Sequence, residues 1–143
     1  MNRIKGQYRI IVEIMLFGLG VAITGFVLLS FQDLQKNADE IAIKDQMSTV
    51  LNTAINAVVK ASLTNNAIIR LDIPVSVSGR TYKLFVENDK NLTAIDLTDT
   101  TINVSREIFN IDEPNNRVTG DVVSSAGVAE ISYSGSKIII QRG

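Results

Sequence analysis

The fold is decided by an apolar stretch from Ile10 to Phe31, which reads IIVEIMLFGLGVAITGFVLLSF. Glu13 is the one charged residue in it, and Thr24 and Ser30 are weakly polar. As an α-helix the stretch would be about 33 Å long, enough to cross a hydrocarbon core of about 30 Å. A buried helix of a soluble protein is the alternative, but the rest of a 143-residue chain is too small to surround one on all sides. We therefore predict a membrane helix over residues 7–31.

Charges are unevenly distributed around this helix. Only cations precede the apolar stretch, whereas mainly acids follow it: Arg3, Lys5 and Arg9 on one side, and Asp33, Lys36, Asp39 and Glu40 on the other. By the positive-inside rule the N-terminus lies in the cytoplasm and the residues after Phe31 lie outside. The apolar stretch is longer than that of an ordinary cleaved signal peptide, and its end lacks the small-x-small cleavage pattern. The sequence therefore predicts a single-pass membrane protein.

The composition argues against several functions. There is no Cys and no His, which removes disulfides, thiol catalysis, imidazole bases and His or Cys metal sites. A net charge of -1 gives no basic field for nucleic acid. The outer acids lack calcium-loop spacing, and no nucleophile accompanies a pair such as Asp96 and Asp99. We expect no enzyme, metal, cofactor, small-molecule substrate or nucleic-acid partner. The outer acids are Asp89, Asp96, Asp99, Asp112, Glu113 and Asp121.

Two features of the apolar helix are candidates for assembly. Gly18, Gly20 and Gly25, with Ala22 and Thr24 between them, form a small-residue patch. Such a patch lets helices approach closely in lipid, although Gly is also common in membrane helices in general. Glu13 is costly in hydrocarbon and usually has a partner or a role there. It either serves in assembly or lies near the interface, where it pairs with Arg9 four residues earlier.

The apolar pattern continues beyond Phe31 with steps of three and four, and neither Pro nor Gly interrupts it before Asn65-Asn66. This predicts an amphipathic continuation of the helix over residues 32–64, which packs on a β domain, on other subunits, or on both. The apolar positions are Leu34, Ala38, Ile41, Met47, Val50, Leu51, Ala54, Ile55, Val58 and Val59.

Residues 65–143 have the pattern of a small antiparallel β-sheet or β-sandwich. Alternating apolar residues lie around Pro74, and further short strands alternate with turn residues. The fold class is therefore α+β, with a long N-terminal helix packed on this domain. Strands are predicted at 69–77, 82–86, 92–97, 101–104, 118–123, 128–133 and 137–141, and turns at Ser78-Gly79, Asn88-Asp89, Thr98-Asp99, Asn115-Asn116, Ala126-Gly127 and Ser134-Gly135.

Two triplets, beginning at Asn91 and Asn103, match the N-glycosylation acceptor pattern Asn-x-Ser/Thr. Such triplets also arise by chance in a domain rich in Ser, Thr and Asn. They agree with an extracytoplasmic location of the β domain.

The N-terminal segment, over about its first thirty residues, resembles the type IV pilin-like proteins of archaea. A short basic leader, residues 1–6, ends in Lys5-Gly6 and is followed by Gln7 and an apolar helix with an acid near its start. The resemblance implies that a prepilin-type peptidase cuts between Gly6 and Gln7 and leaves the helix in place. In the better-known pilins the acid is the fifth residue of the mature chain and helps to pair each subunit with its neighbour's N-terminal amine, whereas Glu13 would be the seventh residue here.

The resemblance implies a structural subunit of a cell-surface filament, with partners that are the membrane, other copies of the chain and the assembly machinery. The alternative is a permanently anchored accessory protein of a surface machine, whose β domain contacts a cell-wall layer or a motor component. Archaeal flagellar accessory proteins also combine such a helix with a β-sandwich. Cleavage of the leader distinguishes the two.

Overall fold

The computed structural model describes residues 3–64, 67–109, 117–134 and 137–143. Helix α1 occupies Arg3–Ser62, and seven strands and a short 3-10 turn follow it, which confirms the α+β fold class. The strands are β1 (Ile68–Asp72), β2 (Tyr82–Glu87), β3 (Asn91–Asp96), β4 (Asn103–Glu107), β5 (Arg117–Val123), β6 (Val128–Ser134) and β7 (Lys137–Arg142), and the 3-10 turn is Ser124–Ala126.

The chain divides into two compact units, Met1–Asp39 and Glu40–Gly143. The second unit contains the whole sheet together with the part of α1 from Glu40 to Ser62. That part of the helix supplies one side of the hydrophobic core. The second unit is therefore an α+β domain with a core of its own.

The helix packs on the sheet through a stripe with steps of three and four residues. The sequence assigned Ile41 to this stripe, but Ile41 is 68% exposed, and Ile43 is buried instead. Counting back four residues from the buried Met47 leads to Ile43, whereas Ile41 lies on the opposite side of the helix. Leu34 is likewise exposed. The buried stripe consists of Ile43, Met47, Val50, Leu51, Ala54, Ala57, Val58 and Ala61.

The seven strands form one sheet in the order β1-β6-β7-β5-β2-β3-β4. Every described pairing is antiparallel except that of β5 with β7, which is parallel. The sheet is therefore not a continuous meander, because β1 pairs with β6 and β5 pairs with β2 and β7. Strands β1 and β4 form the two edges of the sheet.

The largest differences from the predicted strand bounds are in β1 and β4. Strand β1 ends at Asp72 rather than near Val77, because Pro74 cannot donate to a ladder and its carbonyl accepts a hydrogen bond from the Tyr82 hydroxyl (2.9 Å). Strand β4 begins at Asn103 rather than Thr101, because the Asp99 carboxylate accepts hydrogen bonds from the backbone and side chain of Thr101. A local turn thus occupies the residues that were expected to start the strand.

The predicted turns in the described residues are confirmed. Ser78 and Gly79 both have positive φ, as the tight two-residue turn between Val77 and Arg80 requires. Asn88 and Asp89 also have positive φ, within the three-residue loop between the paired Glu87 and Asn91. The turn at Asn115-Asn116 lies outside the described residues, as do Asn65-Asn66 and Gly135.

Strand β5 changes its partner along its length. Residues 117–120 pair with β7 and residues 121–123 pair with β2. Gly120 has φ +116°, and a Cβ there would overlap the carbonyl oxygen of Ile140. Only glycine permits this close backbone approach.

Polar contacts also join the helix to the sheet. The side-chain oxygen of Gln46 accepts a hydrogen bond from the backbone N–H of Ser78 (3.1 Å), and Arg106 of edge strand β4 donates to the Ser48 hydroxyl (2.6 Å). These contacts set the helix against one face of the sheet near β4.

Candidate functional site: the exposed apolar segment of the helix

The segment of α1 from Tyr8 to Phe31, which we call the apolar segment, exposes its large apolar side chains. Their exposed fractions run from 36% at Val12 to 75% at Phe17. Helix α1 is the one described helix that is long and apolar enough to cross a membrane. An apolar surface of this extent on a soluble monomer is rare and marks contact with lipid or with other chains.

The polar side chains within the apolar segment have partners inside the helix. The Thr24 hydroxyl donates to the carbonyl oxygen of Gly20 (2.8 Å), and the Ser30 hydroxyl donates to that of Phe26 (3.0 Å). Hydroxyls bonded in this way need no water. The segment is therefore chemically compatible with a hydrocarbon environment.

Glu13 is paired within its own helix. The Arg9 Nε lies 3.1 Å from Glu13 Oε1, and the two side chains are 84% and 62% exposed. The contact is the i,i+4 pair that the sequence offered as one alternative. An ion pair between exposed side chains contributes little to stability, so Arg9 remains available to other partners.

The predicted small-residue patch covers more than one side of the helix. An open concavity of about 560 Å³ is lined by Gly20 and Gly25 but not by Gly18. Gly18 and Gly20 are two residues apart, which turns them about 200° away from each other around the axis. Thr24, which lies in the predicted patch, also lines this concavity. Sequence analysis missed the three large residues that line it as well, although helical spacing relates them: Phe17, Val21 and Leu28.

The hypothetical cleavage site, Gly6-Gln7, lies in the first turns of α1, whose backbone is helical from Arg3. A protease that cuts here would need these turns to unwind locally. Helix ends open at low free-energy cost, so the geometry is compatible with processing.

Several of the outer acids named in the sequence analysis form ion pairs in the unit Glu40–Gly143. Asp89 pairs with Arg117, and Asp121 pairs with Lys83. Asp96 is fully buried, and its Oδ2 lies 2.9 Å from Arg80 Nη1. Among the described residues no three acids come together as a metal site. Asp112 and Glu113 lie outside those residues.

The Asp96 carboxylate organises the loop between β3 and β4. Burial raises its pKa, but hydrogen bonds from the backbone of Thr98, from Arg80 and from the backbone of Asp99 outweigh that effect and lower the pKa. Near Asp96, burial also raises the pKa of Tyr82 to about 12. Both groups therefore keep fixed protonation states near neutral pH, which suits structural roles.

The two glycosylation triplets lie side by side on neighbouring strands. Asn91 begins β3 and Asn103 begins β4, and the register pairs Thr93 with Ser105. The Thr93 hydroxyl donates to Ser105 Oγ (2.9 Å). The two acceptor motifs thus meet through their hydroxyl residues.

No protein-family model matches the chain, and comparisons with curated proteins and with solved structures find no similar protein. The chain is therefore described by its own structure. It combines a long N-terminal helix that has an exposed apolar segment with an α+β unit that contains a mostly antiparallel seven-stranded sheet.

Proposed function

We propose that this chain is a structural subunit of a type IV pilus-like cell-surface filament, assembled through its apolar segment. The supporting observation is that large apolar side chains from Tyr8 to Phe31 are exposed, while the unit Glu40–Gly143 has its own core. Packing the apolar segments of many copies together would bury a surface that water disfavours. The unit Glu40–Gly143, which we call the sheet unit, would then form the filament's exterior.

In this proposal the apolar segment holds the subunit in the membrane until assembly. The N-terminus lies in the cytoplasm, the sheet unit lies outside, and a peptidase removes residues 1–6. The concavity is lined by Gly20 and Gly25, and a neighbouring helix would pack closely against it. The role is mechanical rather than catalytic.

A second candidate is a single-pass anchor that carries the sheet unit as an accessory of a surface machine. The observation that favours it is the Arg9–Glu13 pair, which satisfies Glu13 within the chain. An acid paired in this way near the cytoplasmic interface needs no neighbouring subunit.

Replacing Glu13 by Gln tests the two candidates. In a filament the carboxylate is shut away from water and requires a cation, so the amide should leave a buried cation unpaired and impair assembly. Membrane insertion and processing should remain normal. The measurement is the yield of surface filaments relative to total membrane protein, and we expect at least about a tenfold loss, because an uncompensated buried charge costs several kcal/mol.

The matched control is Asp33→Asn, which removes an exposed acid just beyond the apolar segment. It should assemble like the parent. Filament yields that are equal for Glu13→Gln and the parent would remove Glu13 from the mechanism. Absence of filaments from cells that make the parent protein would favour the anchor.

A further inference from the structure

The two acceptor triplets differ in how much of each remains accessible after folding. Asn91 belongs to β3, which pairs with β2 on one side and β4 on the other. Asn103 is exposed and begins β4, which forms an edge of the sheet and, among the described residues, pairs with β3 alone. Edge strands open locally at a lower free-energy cost than central strands.

The hydroxyl residues differ in the same sense. Thr93, which completes the Asn91 triplet, is only 5% exposed, and its hydroxyl lies 2.9 Å from that of Ser105. Ser105, which completes the Asn103 triplet, is exposed. A transferase that reads the Asn-x-Ser/Thr motif must reach both its amide and its hydroxyl.

Strand alternation sets the direction in which a modification would point. Arg106 reaches the Ser48 hydroxyl on the helix, so alternate residues of β4, including Asn103 and Ser105, lie on the opposite face of the sheet. An attached group at Asn103 would thus be directed away from the packed helix and leave the core undisturbed.

We propose that Asn103 is the glycan acceptor of the folded protein. Asn91 has the same motif but is inaccessible to the transferase once β3 is paired. Asn103 Nδ2 attacks the anomeric carbon of a lipid-linked oligosaccharide and forms a C–N bond. The bond from that carbon to the lipid phosphate oxygen breaks, the lipid phosphate leaves with the electron pair, and one Nδ2 proton passes to a base of the transferase. In a cell the reaction rests on the extracytoplasmic location proposed above, but the accessibility itself does not.

The test uses the purified full-length chain in detergent, a lipid-linked oligosaccharide, and an oligosaccharyltransferase chosen because it modifies synthetic peptides 88–96 and 100–108 alike. Peptide mass spectrometry then measures the occupancy of each Asn in the folded chain. We expect Asn103 to be modified at least about ten times more than Asn91, because opening an edge strand costs less than opening a central one. In urea-unfolded chain the two occupancies should converge.

Ser105→Ala, which leaves Asn103 in place, should abolish the modification, and Ser105→Thr should restore it. Asn91→Gln should have no effect on Asn103. Equal occupancy in the folded chain, a preference for Asn91, or no transfer to folded Asn103 would each overturn the proposal. Because the reaction is carried out on isolated protein, its failure is distinguishable from failure to form filaments.

Discussion

Gly120 shows how one residue permits the sheet's pairing. It lies where β5 passes from β7 to β2, and its backbone approaches the Ile140 carbonyl too closely for any side chain. Its φ of +116° is also outside the range that other residues adopt without strain. The steric and conformational constraints therefore act together at this position.

Gly120→Ala should destabilise the sheet unit by about 3 kcal/mol or more. The new methyl group must displace the backbone of Ile140, and alanine at residue 120 would also be strained at its positive φ. Urea unfolding of the full chain in detergent, followed by the near-UV signal of the tyrosines, measures the loss. The control is Gly79→Ala, at φ +75° with no atom within 4 Å of the added carbon. It should cost only about 1–2 kcal/mol. Equal losses would contradict the steric account.

Asp96 makes stability depend on pH. Its pKa is lowered in the folded state, below the ordinary value of 3.8. The stabilisation is therefore fully present above the unfolded pKa and is lost as the pH falls through the folded value. Asp96→Asn should destabilise the sheet unit by about 1–3 kcal/mol at pH 7, and the difference from the parent should shrink below about pH 4.

The control for this prediction is Asp121→Asn, which breaks a pair whose side chains are 37% and 56% exposed. It should change the free energy of unfolding little at either pH. If the cost of Asp96→Asn were the same at pH 7 and pH 3, the ionised carboxylate would not be the source of the stabilisation.

Sequence reasoning found Ser78-Gly79 and Asn88-Asp89 because the residues of a tight turn are local in sequence. It did not find Gly120, because the requirement for glycine there comes from a strand twenty residues further along. It also read Asp96 as one of several acids, since its partner Arg80 is brought to it only by the fold.

At the scale of elements, helix α1 was the most predictable feature. Its apolar run and its amphipathic stripe follow helical periodicity, and the error at Ile41 arose because consecutive apolar residues around Ile43 fit more than one phase. The β strands were located to within a few residues, except where Pro74 and the Asp99 turn ended or delayed a strand.

The concavity on the apolar segment leads to a prediction about helix packing. Gly20→Leu should fill the concavity and reduce assembly, whereas Gly18→Leu, on another side of the helix, should reduce it less. A Cβ added at either position meets no atom within 4 Å, and both positions lie outside the unit Glu40–Gly143, so that unit should stay folded in both variants. Chemical crosslinking of the full-length chain in membranes measures assembly, and equal crosslinking of parent and Gly20→Leu would exclude this surface as the contact.

At the scale of the whole molecule, strand positions did not determine strand order. Hairpins such as β2–β3 and β6–β7 are encoded by their turns, but the β1–β6 and β5–β7 pairings join distant segments. The alternation of apolar residues predicts which residues of a strand face the core, but it does not predict which strands are neighbours in the sheet.

The central claim is that the apolar segment is a processed assembly element rather than a permanent anchor. Intact-mass and N-terminal peptide mass spectrometry of the native protein, from surface material released by shear and from membranes, tests it most directly. We predict that the surface-released chain begins at Gln7, having lost residues 1–6. Chain that begins at Met1 in both fractions would contradict the claim and leave the anchor as the function.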